Sequence, residues 1–146
     1  MKRIVLLFFL CLSVSVSFAQ KTQSTHKQIT WKTVSDDEIV TISYDSNIIT
    51  YSKGRHIVWV KDVYHTSDWQ NYFASQIGSR VPVAVTRTKA MFDEDYNYVM
   101  VRQVKCYNKA GKLLYDSGDD TSAGWGVVNA SDPVGIVGEY LTPPRY

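Results

Sequence analysis

Cysteine is nearly absent: 146 residues hold two, Cys11 and Cys106. They offer no spacing for a zinc site or a redox Cys-x-x-Cys motif. Glycine and proline are also scarce, at eight and four, which excludes a collagen-like or low-complexity chain. There are three histidines, His26, His56 and His65. The last two end one strand-like stretch and lie about 30 Å apart at roughly 3.3 Å per residue, so they cannot share a metal through it. No His-Glu-x-x-His, Gly-x-Ser-x-Gly or phosphate-loop pattern occurs. A Ser/His/Asp triad assembles from distant positions, and nothing here marks one. The expectation is a protein that is not an enzyme, with no cofactor and no metal.

Long hydrophobic runs are missing too, with one exception at the start. Met1–Lys2–Arg3 is a short basic region, Ile4 to Cys11 is apolar and continues weakly through Val14 and Val16, and Ser17–Phe18–Ala19 closes it with small residues. This reads as a signal peptide over 1–19, cleaved before Gln20. Its apolar part, about 12 to 15 residues, falls short of the roughly 20 of a transmembrane helix. Leu10 before Cys11 fits poorly with a lipoprotein signal. After cleavage only Cys106 remains, so no internal disulfide can form; within an alternating strand pattern it reads as a buried structural thiol.

Excess charge of either sign is likewise absent. The formal +2 belongs to Lys2 and Arg3: the 16 basic residues less those two equal the 14 acidic ones. A phosphate-backbone partner needs accumulated positive charge, so a nucleic-acid role is excluded. The densest basic region, Arg80, Arg87 and Lys89, is interrupted by valines and reads as solvated strand-face charge. Two acidic clusters, Asp93–Glu94–Asp95 and Asp116–Ser117–Gly118–Asp119–Asp120, lack the order of a calcium loop and read as exposed loops. Asn129–Ala130–Ser131 matches a glycosylation sequon, a pattern short enough to arise by chance.

What is abundant is aromatic surface: four tryptophans and ten tyrosines, all beyond residue 19. Gln20 to Gln28 is polar and reads as a flexible leader. From 29 to 146 the pattern is that of one domain. Strands are expected at Ile29–Val34, Val40–Tyr44, Ile48–Tyr51, His56–His65, from Val81 through Val85, Tyr96–Tyr107, Lys112–Tyr115 and Trp125–Val128. A helix capped by Asp68 carries Trp69, Tyr72, Phe73 and Ile77 to Gly78. A second starts at Ser131 or Asp132 with Pro133 in its first turn and ends before Pro143–Pro144. Gly135 and Gly138 each weaken it by about 1 kcal/mol relative to alanine. The fold class is α+β: a single antiparallel sheet of about five to seven strands, one inserted helix, and a C-terminal helix packed on it. Trp31 and Trp59 are expected in the core between sheet and helix. Trp69, Tyr72 and Phe73 form the inward stripe of the first helix. Strict alternation places Tyr96 and Tyr98 with Met100 on one face and Tyr107 on the other.

Several segments together resemble one family: Tyr44–Asp45–Ser46–Asn47–Ile48, Val58–Trp59–Val60–Lys61 with Tyr64, Phe92–Asp93, Tyr107–Asn108–Lys109–Ala110–Gly111–Lys112, Trp125, and Pro133 with Glu139. In order and spacing, from about Trp31 to Leu141, they are similar to the surface-adhesin protein E-like family. The resemblance implies a small antiparallel sheet with a C-terminal helix, and an outer-envelope or secreted protein of a Gram-negative bacterium that binds host matrix or plasma proteins. Family members commonly carry a cysteine after the mid-chain Asp and another near the C-terminus. Here Glu94 follows Asp93, and the tail has no cysteine. Adhesion depends on surface residues that these core motifs do not specify, so no binding residue is carried over. The expected function is an exported, adhesin-like binding domain recognising a protein partner through a sheet face or edge. The competing readings are a periplasmic small-ligand or lipid carrier, recognised by an apolar cavity, and a structural envelope component acting as a homodimer or larger self-assembly.

Overall fold

Alternating Val, Ile, Tyr and Thr side chains generate eight strands, and two runs of helical spacing generate two helices. The computed structural model describes residues 27–51 and 53–144. The expected signal peptide and the leader up to residue 26 lie outside the described residues. In chain order the elements are β1 (Trp31–Asp36), β2 (Val40–Asp45), β3 (Ile49–Thr50), β4 (His56–Tyr64), α1 (Ser67–Gln76), β5 (Val85–Phe92), β6 (Tyr98–Tyr107), β7 (Leu113–Asp116), β8 (Gly126–Val127) and α2 (Pro133–Leu141). All strands join one antiparallel sheet in the order β1-β2-β4-β5-β6-β7; β3 adds to β4, and β8 to β6. The α+β class and both helix positions match the sequence reading. The strand count exceeds the expected five to seven because all eight expected strand segments join the one sheet, β3 and β8 as two-residue pairings at its margins. No helix among the described residues is long and apolar enough to cross a membrane.

One sheet face carries the main core. Ile42 and Tyr44 of β2, Val58 and Val60 of β4, and Ala90 and Phe92 of β5 meet Val137 of α2. Burying such side chains contributes about 1.5–3 kcal/mol each. A smaller cluster joins Ala74 of α1 to Val83 and to Cys106 of β6, which is a buried free thiol. Tyr96 holds a left-handed backbone, φ 58°, at the turn into β6. Its ring stacks on His56 at 4.8 Å and packs on Phe92 at 5.3 Å, contacts that offset the strain.

Four local expectations are corrected. The cap of α1 is Thr66 rather than Asp68, which sits in the first turn. The strand expected from Val81 begins at Val85: Pro82 has no N–H to pair, and the Val83 N–H donates to the Gln70 carbonyl of α1. Trp31 and Trp59 do not lie between sheet and helix, for both face the other side of the sheet. On α1, Trp69 and Tyr72 are 43% and 51% exposed, and only Phe73 turns inward, onto Tyr64.

The geometry of α2 reverses the arithmetic of its glycines. Asp132 caps the helix, its carboxylate accepting from the Gly135 N–H at 2.7 Å. A Cβ on Gly135 would fall on the Asn129 carbonyl, and one on Gly138 would sit 2.8 Å from the Phe92 ring. The missing side chains let α2 lie flat on the sheet. Gly135→Ala and Gly138→Ala should therefore each destabilise by at least about 2 kcal/mol in urea unfolding, against the gain that helix propensity forecasts. Gly124→Ala, where an added Cβ meets nothing within 4 Å, is the control and should stay within about 0.5 kcal/mol.

Candidate functional site

Cross-strand register builds a line of cations on the face that the helices leave uncovered. Lys61 of β4 pairs with Arg87 of β5, and Arg87 with Lys105 of β6. Like charges directly opposite each other destabilise a sheet, so this line needs compensation. Aromatic rings supply part of it. The Trp31 ring lies 4.6 Å from the Lys61 ammonium and 5.6 Å from the Arg87 guanidinium, Tyr107 lies 4.9 Å from Arg87, and Trp59 lies 5.9 Å from Lys105. Each contact contributes about 0.5–2 kcal/mol.

Carboxylates supply the rest, unevenly. Asp116 approaches Lys105 at 3.6 Å, while Asp119 takes Lys89 at 2.6 Å and Arg102 at 2.8 Å. The loop after β7, expected as free solvated acid, is thus bound back onto β5 and β6. These contacts hold the carboxyls of Asp116 and Asp119 below the usual range, with hydrogen bonds from Gln103 and Lys89 the leading causes. Among the described residues no carboxylate lies within 4 Å of Lys61 or Arg87. Burial and the neighbouring Arg87 push the Lys61 ammonium below its ordinary pKa, and Arg87 Nε is buried without a hydrogen-bond partner. Lys61 lies over the Trp31 ring, and Arg87 joins Trp31, Trp59, Lys105 and Tyr107 in lining a groove of about 440 Å³. Its one carboxylate, Asp45, is engaged by the amides of Thr30 and Asn47.

A β-bulge places Tyr107 in this group. Lys89 pairs with Gln103 and Ala90 with Val101, which leaves Arg102 as the extra residue. It reverses the alternation, so Tyr98, Met100, Gln103, Lys105 and Tyr107 share one face. The expected opposition of Tyr98 and Tyr107 is thereby corrected. No propensity in the sequence signals the bulge.

The helix-covered face holds a second groove, of about 740 Å³, between α1 and the start of α2. Asp62, Thr86 and Thr88 form part of its floor, Phe73 and Ile77 one wall, Pro133 and Val134 the other. Asp62 is 4% exposed. Its Oδ2 accepts from Thr86 at 3.1 Å and, weakly, from the Tyr64 hydroxyl at 3.5 Å; its Oδ1 is buried with no partner. Burial pushes the carboxyl up to about 7. The sequence reading named Lys61 only as the end of the Val58–Lys61 family motif, with no binding role, and did not single out Asp62: single charges in a strand resemble ordinary surface residues until the neighbours are known.

Comparison of the chain with protein-family models, with curated proteins and with solved structures finds no match in any of the three.

Folded Asp62 keeps its proton to about pH 7, whereas the unfolded residue releases it near 3.8. Between those values the folded state binds more protons, so this group's contribution to stability is lost as pH rises from about 4 to about 7. Asp62→Asn removes that term. The stability of the variant relative to the parent should increase from pH 4 to pH 8 by up to about 4 kcal/mol, read from urea unfolding at each pH. A pH-independent difference would show that Asp62 is ionised throughout.

Proposed function

We propose that the mature chain is a non-enzymatic, adhesin-like binding domain exported to the envelope of a Gram-negative cell, and that it grips an acidic segment of a protein partner on the uncovered sheet face. The observation that carries this reading is the Lys61–Arg87 pair: two cations adjacent across strands, partly withdrawn from water, flanked by Trp31 and Tyr107 and without a carboxylate among the described residues. Such an arrangement costs stability in the free protein, and a bound carboxylate relieves it. Charge-assisted hydrogen bonds of this kind contribute about 1.5–3 kcal/mol. Aromatic rings beside the cations add contact area with little side-chain entropy to lose. The family resemblance supplies the partner class, host matrix or plasma proteins.

The carrier reading has one observation in its favour, the groove under the helices. A ligand in that groove alone leaves the cation line without a role.

Two measurements test the proposal. Protease shaving of intact cells, with a lysed control, should digest the mature chain from outside; protection until lysis would make adhesion untenable. On immobilised host matrix and plasma protein fractions, Lys61→Gln/Arg87→Gln should bind ten- to hundredfold more weakly than the parent, at about 1.4 kcal/mol per factor of ten. Parental binding should also weaken with added salt. Equal binding by the variant would remove the site.

A further inference from the structure

We propose that the groove between α1 and α2 is a second binding site, taking an amphiphilic cation whose ammonium group meets Asp62 and whose hydrocarbon lies along the apolar walls. Three observations converge on this chemistry. The groove has the volume of a small-molecule site, about 740 Å³, and its walls are largely apolar and aromatic: Phe73, Ile77, Val101, Val104 and Tyr115. Among the described residues its titratable lining includes two carboxylates, Asp62 on the floor and Asp132 at the rim, and no lysine, arginine or histidine. Asp62 Oδ1 is fully buried there with no hydrogen-bond partner, and an unmet acceptor of this kind costs about 1–3 kcal/mol or more when charged. A single ammonium satisfies it and neutralises the carboxylate at once. A fatty acid would bring a like charge, and an alcohol would leave the ionised carboxylate uncompensated.

The complementarity predicts a pH dependence. The titratable groups that line the groove with Asp62 are Tyr64 on its own strand, Cys106 of β6, Tyr72 of α1, Tyr115 of β7 and Asp132 before α2. Burial drives the Tyr64 phenol and the Cys106 thiol further above neutrality, so neither changes charge between pH 6 and 8. A cation in the groove favours the ionised form of Asp62, so binding strengthens as pH rises through that interval.

Isothermal titration of the mature chain with decylamine, with decanol and decanoate as controls of equal length, tests this directly. Decylamine should bind at pH 8 at least tenfold more tightly than either control and should weaken severalfold at pH 6. Asp62→Asn should abolish the preference for the amine. Asp132→Asn, which keeps a helix-capping side chain, should retain the pH dependence. Equal affinity for amine and alcohol, an unchanged preference in Asp62→Asn, or a pH-independent amine affinity in the parent would each overturn the proposal. The parental pH profile decides the matter even if a variant fails to fold.

Discussion

The bulge at Arg102 fixes which side chains meet on both faces of the sheet. Upstream of it β6 turns Val99 and Val101 toward the helices; downstream it turns Val104 and Cys106 the same way, although the parity of the numbering has changed. Were Arg102 paired in regular alternation instead of bulged out, Lys105 and Tyr107 would point into the groove, and Cys106 would lie among the cations. A charged Lys105 there would remove the acidic character of that groove, and Arg87 would lose Tyr107, the nearer of its two rings. One irregularity in one strand pairing therefore separates the two chemistries. The same residue helps to hold the β7–β8 loop, since its carbonyl accepts from the Asp120 N–H at 2.7 Å and its guanidinium holds Asp119.

The loop in turn decides which cations remain available. Asp116 and Asp119 answer Lys105 and Arg102 of β6 and Lys89 of β5. They form no ion pair with Lys61 of β4 or Arg87 of β5. The cationic face is thus graded, neutralised toward β7 and open toward Trp31. A chain whose 16 basic and 14 acidic residues nearly balance can still present a local field of one sign, because charge balance over a whole chain does not constrain balance over one groove.

Much of the fold was legible in the sequence because it rests on short-range patterns. Period-two alternation located β2 and β4, the Asn108–Gly111 turn located the β6–β7 hairpin, and Asp132–Pro133 located the start of α2. The α+β class followed from the order of these elements. What was not legible depends on contacts between distant residues. Trp31 and Trp59 were assigned to the core on the general tendency of tryptophan to be buried, whereas here they flank cations contributed by other strands. Gly135 and Gly138 looked like liabilities under helix propensity and prove to be clearance for Asn129 and Phe92. Neither candidate groove could be read in advance, since the floor of each is assembled from several strands whose register the sequence does not state.

Lys61 and Asp62 show why composition conceals such a site. They are adjacent and of opposite charge, and in a loop or on a helix surface they would be read as neutralising one another. In β4 successive side chains point to opposite faces, so the ammonium faces Trp31 and Arg87 while the carboxylate faces Thr86 and the helix groove. Neither forms an ion pair among the described residues. Burial disfavours the charged form of both, lowering the pKa of one and raising that of the other. A sheet selected only for stability would replace both with apolar or neutral residues at little structural cost. Keeping two ionisable groups back to back at the centre of the sheet is a local inconsistency, and it leaves one strand presenting a group without an ion pair among the described residues on each of its faces.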